Sequence, residues 1–249
     1  MSAKIYLSPA AHEHDNTCVY GGGCTENTHC NAYMDELEAY LTACGFEVRR
    51  GSKTAVGSAE VQRRVREANA WGADVYYVCH TNAFNGTVTG SRPYVYPTGA
   101  GRQWAETLLS WRRKVYPYPC SVKTTTDLYE VLQTSMVTIY EELVFHDNRE
   151  DAAFLHNNLR VLAEYTARGL CEIFGRAFID PYAVVPGDVN GDGKVTVSDT
   201  RKALRAVVGK ESLTPEQEKA ADINGDGKVT TADVRKILRK AVGKQEVDE

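Results

Sequence analysis

Asp74-Val75-Tyr76-Tyr77-Val78-Cys79-His80-Thr81-Asn82-Ala83 is an apolar, β-rich run that closes on small polar residues. A helical pattern from Ser58 to Trp71 leads into it, with Val61, Val65, Ala68 and Trp71 on one face and Ser58 as the expected cap. A run without alternation, fed by a helix, reads as a buried parallel strand. In open α/β sheets the chemistry lies at the carboxyl ends of such strands. His80 therefore reads as a metal ligand or a general base, with a hydrogen-bonded core histidine as the bland reading.

Working outward, Lys4-Ile5-Tyr6-Leu7 is a short strand that Ser8-Pro9 ends. A polar loop, Ala10-Ala11-His12-Glu13-His14-Asp15-Asn16, and a Gly-rich turn at Gly21-Gly22-Gly23 follow it. Glu26 opens a helix that runs to Cys44, with Gly45 as its stop. Phe46 to Arg50 and Tyr94 to Tyr96 read as further strands, and Gln103 to Val115 as a helix. Met136 to Phe145 is a final buried strand that carries Glu141 and Glu142, and a long helix from Glu150 to Phe174 follows. Because a buried, unpaired carboxylate costs several kcal/mol, at least one of the two must meet a cation, a metal or water. The fold class is α/β, a three-layer arrangement of a mostly parallel sheet flanked by helices.

A net charge of −4 without a clustered basic face excludes a nucleic-acid surface. No window is long and apolar enough to span a membrane. The first strand begins without a signal-peptide core, so the chain is expected to be cytoplasmic until release, or secreted with its leader removed. The seven cysteines include no CxxC pair. They read as reduced structural thiols, against a disulfide within the Cys18 to Cys30 loop.

Four features converge: His12 or His14 after the first strand, Glu26 at a helix start, His80 at a strand end, and Glu142 in the last strand. Two histidines and one glutamate fill the protein positions of a catalytic zinc site, which leaves a second glutamate to handle protons. Ile5-Tyr6-Leu7-Ser8-Pro9 with its following histidine, Glu26, Cys79-His80-Thr81-Asn82-Ala83 and Glu142-Leu143-Val144-Phe145-His146-Asp147-Asn148 resemble the motifs of zinc-dependent N-acetylmuramoyl-L-alanine amidases of autolysins and phage endolysins. The resemblance covers about residues 1–176. It implies one catalytic zinc held by His80 and Glu26, with Glu142 as the catalytic carboxylate. The family's Gly-His step is Ala-Ala-His-Glu-His here, and His14 is taken as the first ligand with His12 as the alternative. The implied reaction on peptidoglycan is hydrolysis of the amide between N-acetylmuramic acid and L-alanine. A zinc peptidase acting on stem peptides would need the same ligands.

After a Pro-marked linker at residues 177–186 the chain repeats itself. Gly187-Asp188-Val189-Asn190-Gly191-Asp192-Gly193-Lys194 onward to Asp199 is answered by Ala221-Asp222-Ile223-Asn224-Gly225-Asp226-Gly227-Lys228 onward to Asp233. These are calcium loops of the EF-hand kind. Asp188, Asn190, Asp192 and Asp199 form one ligand set and Asp222, Asn224, Asp226 and Asp233 the other, while Lys194 and Lys228 offer backbone carbonyls only. A helix follows each loop, giving residues 187–249 as a small all-α module of two calcium loop-helix repeats with two structural Ca2+. The repeats resemble a type I dockerin, which implies a cohesin partner on a scaffold. The corresponding face holds Val197, Ser198, Arg201 and Lys202, with Thr231, Ala232, Arg235 and Lys236 as its symmetry mate. The preferred setting is a phage or prophage endolysin released by a holin, in which the module serves stability, self-association or wall contact. The other readings are a scaffold-bound secreted enzyme and a calcium-dependent binding protein with a silent catalytic domain.

Overall fold

The computed structural model describes residues 2–14 and 16–244. The chain divides into two compact units, Met1–Pro181 and Tyr182–Glu249.

The first unit is built on a six-stranded sheet. Its strands are β1 (Lys4–Pro9), β2 (Glu47–Arg50), β3 (Val75–Asn82), β4 (Arg92–Val95), β5 (Lys123–Thr124) and β6 (Val137–Phe145), in the order β2-β1-β3-β6-β4-β5. The pairs β1–β2, β1–β3, β3–β6 and β4–β5 are parallel, and β4–β6 is antiparallel. Seven of the eight β3 residues are buried, as a central strand covered on both faces requires.

Side-chain alternation sorts the strands into two faces. Ile5, Leu7, Val75, Tyr77, Cys79, Ile139 and Leu143 join the larger core with α1 (Glu26–Ala43), α3 (Gly101–Arg112) and α5 (Arg149–Ile173). Tyr6, Tyr76 and Val78 face the other way, against Val65 and Ala68 of α2 (Ser58–Trp71), with Tyr140 packed alongside. Helices on both faces give the three-layer α/β arrangement that the sequence pattern calls for.

On β6 this alternation separates the two carboxylates. Glu141 turns into the larger core, where Arg112 of α3 meets it at 2.9 Å and the Tyr77 hydroxyl donates to it. Glu142 turns to the α2 face, opposite His80 in the β3–β6 register. The cation required for one of the pair is thus Arg112, and Glu142 is left for the site.

Three local expectations are corrected. Gly57, not Ser58, is the N-cap of α2. Its φ of 86° suits glycine, and a Cβ there would lie 2.3 Å from Glu13 Oε1. The strand expected at Tyr94 to Tyr96 begins and ends earlier, at Arg92–Val95, and pairs antiparallel with β6. The polar stretch before β6 holds the short strand β5 and a five-residue helix, α4 (Tyr129–Gln133), both too brief to leave a periodic signal.

The second unit holds α6 (Val197–Val207), α7 (Pro215–Ala221) and α8 (Thr231–Ala241) around a small core of Val189, Ala203, Ala221, Val234 and Ile237. Among the described residues no helix is long and apolar enough to cross a membrane.

Candidate metal centre and active site

Three elements deliver three side chains to one point at the carboxyl edge of the sheet. β1 ends at Pro9, and buried Ala10 and Ala11 carry the chain over the sheet to His12. Asn27 pins that residue in both directions, accepting from the His12 amide at 3.1 Å and donating to its carbonyl at 2.9 Å. Thr25 caps α1 through a reciprocal capping box with Thr28, which places Glu26 as the first residue of the helix. β3 brings His80 from the sheet.

The ligand atoms nearly touch. Glu26 Oε1 lies 2.8 Å from His80 Nδ1, Glu26 Oε2 lies 3.1 Å from His12 Nε2, and the two ring nitrogens are 3.2 Å apart. Tetrahedral zinc with bonds of about 2.0–2.1 Å separates its ligand atoms by about 3.3 Å. Two nitrogens and a carboxylate oxygen turned on one point at nearly that spacing fit a metal ion in both geometry and donor chemistry.

Electrostatics follow the geometry. Burial alone would raise Glu26, but hydrogen bonds from His12 and His80 and from the Thr81 amide outweigh it and hold the carboxyl well below the usual carboxylate range. For His80 burial opposes the charged form, and contact with Glu26 overrides it and raises the imidazole. Glu142 is the opposite case. Burial pushes its carboxyl up to about 7, aided by the nearby Glu26 and countered by His80 and His12. Its Oε2 is buried with no hydrogen-bond partner. Such an atom, on the face that carries His80, is an acceptor in want of a proton donor.

A cleft of about 430 Å³ opens beside this cluster. Gly57, Ser58 and Val61 line one part, Leu128, Tyr129 and Glu130 another, and His12, His14, His80 and Tyr140 also contribute.

The structure brings together His12, Glu26 and His80, with Glu142 next to them, and does not bring in His14. His14 is exposed and reaches only the cleft lining. The reason is the Asn27 clamp, which turns His12 inward; a contact across fifteen residues leaves no mark in the local motif. Sequence reasoning also missed three supporting groups. Asn16 donates to Glu26 Oε2 at 2.8 Å, the Thr81 amide donates to Oε1 at 2.9 Å, and the Tyr140 ring stacks on His80 with centroids 4.8 Å apart. Tyr140 was within reach of sequence reasoning, since it sits two residues before Glu142 on the same strand face.

In the second unit the two repeats adopt one geometry. Asp188 accepts from the amides of Gly191, Asp192 and Gly193, and Asp222 from those of Gly225, Asp226 and Gly227. Asp199 and Asp233 are fully buried in the first turns of α6 and α8, and each accepts from the amide of its loop's Asn190 or Asn224. The Asn190 amide group donates to Asp192 and that of Asn224 to Asp226, so the third and fifth side chains converge. An all-oxygen donor set of this kind suits a hard cation. Lys194 and Lys228 each donate a backbone amide to the loop aspartate two residues earlier.

The raised Glu142 makes a pH-dependent prediction for the protein with no metal ion at this cluster. A carboxyl whose folded pKa lies above its ordinary 4.5 stabilises the fold below that value and loses the contribution as pH rises through about 7. Glu142→Gln is therefore expected to be more stable than the wild type at pH 8.5, by up to about 3 kcal/mol, and no more stable at pH 4.5. Urea denaturation at the two pH values measures this, and equal differences at both would contradict it.

Comparisons with known proteins bear on the family and the fold. A family model described as N-acetylmuramoyl-L-alanine amidase matches residues 5–172, and one described as a dockerin type I domain matches residues 186–241. The chain is 30% identical over 130 residues to the N-acetylmuramoyl-L-alanine amidase CwlM of Bacillus licheniformis, a match that covers 51% of this chain and 49% of that protein. The chain thus spans about half the length of the curated relative it matches. Among solved structures it resembles the catalytic domain of the amidase CwlV from Bacillus (Paenibacillus) polymyxa var. colistinus, with a TM-score of 0.63 at 17% identity over 70% of this chain and 99% of that one. It likewise resembles the amidase AmiC2 of Nostoc punctiforme, with a TM-score of 0.62 at 21% identity over 70% and 98%. Those likenesses establish the fold, and the family match over residues 5–172 establishes that this chain belongs to the N-acetylmuramoyl-L-alanine amidase family, with a dockerin type I domain at its carboxyl end.

Proposed function

We propose that the protein is a zinc-dependent peptidoglycan hydrolase that cleaves the amide between N-acetylmuramic acid and L-alanine. The observation that carries the reading is the convergence of His12 Nε2, Glu26 and His80 Nδ1 beside the unpartnered Oε2 of Glu142. His12, Glu26 and His80 would hold one zinc ion, with His12 in the place first assigned to His14. Bound there, zinc supplies Lewis acidity, which activates water and polarises the scissile carbonyl.

The remaining steps belong to the protein's own side chains. Glu142 takes a proton from the attacking water at Oε2 and returns it to the departing amine, a task its carboxyl near 7 suits at neutral pH. Asn16 and the Thr81 amide hold Glu26 in place, and the stacked Tyr140 fixes the His80 ring. The cleft between Ser58–Val61 and Leu128–Glu130 receives the stem peptide.

On this reading residues 1–176 form the catalytic domain, 177–186 a linker and 187–249 the calcium module. Asp188, Asn190, Asp192, Asp199 and the Lys194 carbonyl would hold one Ca2+; Asp222, Asn224, Asp226, Asp233 and the Lys228 carbonyl would hold the other. The dockerin match supports attachment to a cohesin-bearing scaffold, and with it action at a cell wall outside the cell, over a free endolysin. Val197, Ser198 and Arg201 with Thr231, Ala232 and Arg235 are exposed, as a docking face must be.

Two experiments test the proposal. Digestion of Gram-positive peptidoglycan is expected to release intact stem peptides with free L-alanine amino ends, seen by mass spectrometry. Glu142→Gln should lower the rate by at least about 100-fold while retaining zinc. Shortened stems still joined to sugar would instead identify a stem-peptide peptidase. Calcium chelation with EGTA should unfold the second unit, whose five-residue core is small, while the sheet of the first unit persists. Hydrogen exchange resolved by segment reads both, and unchanged protection in α6 and α8 would contradict calcium-dependent folding.

A further inference from the structure

We propose that Cys18, Cys24 and His29 form a second metal site, structural rather than catalytic, for a thiophilic divalent ion such as Zn2+. One ligand atom from each of the three side chains lies within 4.8 Å of the other two. The thiols come from a tight loop closed by the Thr17–Thr25 bridge and by the Cys18 amide donating to the Cys24 carbonyl at 3.1 Å. The loop turns through Gly21, Gly22 and Gly23, all at positive φ, which brings its two cysteines back together. His29 stands one turn into α1, immediately beneath the capping box.

A second, independent observation points to a ligand. His29 is 5% exposed, and its Nδ1 is buried with no hydrogen-bond partner. A buried ring nitrogen left unsatisfied costs on the order of 1–3 kcal/mol, and a metal bond would remove that cost. Burial raises the Cys18 thiol, and the Tyr20 amide, which donates to Cys18 Sγ at 3.4 Å, partly offsets that and would also serve a metal-bound thiolate. Cover is provided by His156, whose ring stacks on Tyr20 with centroids 4.2 Å apart and stands edge-on to His29 at 5.8 Å. Two thiolates and an imidazole are the donor set that selects zinc over calcium or magnesium, with the fourth position left to solvent.

The placement says what such an ion would do. The same loop supplies Asn16, whose carbonyl accepts from the Glu26 amide and whose side chain holds the Glu26 carboxylate. The Val19 amide donates to the His146 carbonyl at 3.1 Å, tying the loop to the end of β6. A metal staple from Cys18 and Cys24 to His29 would lock the start of α1, and with it Glu26, against the sheet. It does this without touching the cleft, and the inference does not depend on the hydrolytic reading.

The test uses the full-length reduced protein with calcium present. Zinc content after dialysis is expected to be one equivalent per chain higher for the wild type than for Cys18→Ser or Cys24→Ser. Cobalt substitution should give a thiolate-to-metal charge-transfer band that persists in His80→Ala, a variant altered only at the proposed catalytic centre. Zinc should also shield Cys18 and Cys24 from alkylation in the unmodified chain, a readout that needs no variant to fold. A zinc content equal in the wild type and both cysteine variants, a cobalt spectrum without the charge-transfer band, or equal alkylation with and without zinc would each overturn the site. So would a Cys18–Cys24 disulfide that, once reduced, takes up no further metal.

Discussion

The catalytic unit is organised around one buried carboxylate. Glu26 receives the Asn16 side chain and the His12 imidazole from the loop between β1 and α1, and the His80 imidazole and the Thr81 amide from β3. A carboxylate can remain ionised at such depth only because so many donors meet it. The need to satisfy it fixes the approach of α1 to the sheet edge, and so the whole entrance to the cleft.

The sheet contributes a sorting rule. Because neighbouring residues on a strand face opposite sides, adjacent glutamates on β6 acquire unrelated roles. Glu141 is neutralised by Arg112 in the larger core, where the Tyr77 hydroxyl also reaches it. Glu142, one residue on, is left without a cation and is raised by burial into the range where a carboxyl can both take and give a proton near neutral pH. A one-residue register slip between β3 and β6 would exchange these environments and abolish the site.

Much of this could be read from the residues, and the failures have physical causes. β3, the long helices and the two Asp- and Gly-rich loops of the second unit were legible because each carries a local pattern: an unbroken apolar run, a helical period, or side-chain oxygens at fixed offsets around glycines. Glu26 and His80 were legible because they sit at element ends, where motifs are short and rigid. The choice between His12 and His14 was not, since it is made by Asn27 on another element. α4 escaped because five residues cannot display a period, yet it supplies one wall of the cleft. The cysteine loop escaped because His29 belongs by sequence to a helix face and meets Cys18 and Cys24 only through the fold.

Anomalous diffraction at the zinc edge, on crystals grown with zinc and calcium, tests the central claim most directly. The account predicts a peak bonded to His12 Nε2, Glu26 and His80 Nδ1, with Glu142 facing it and unbonded, and His14 remote. A peak held by His14 or by Glu142, or none between Glu26 and His80, would contradict it.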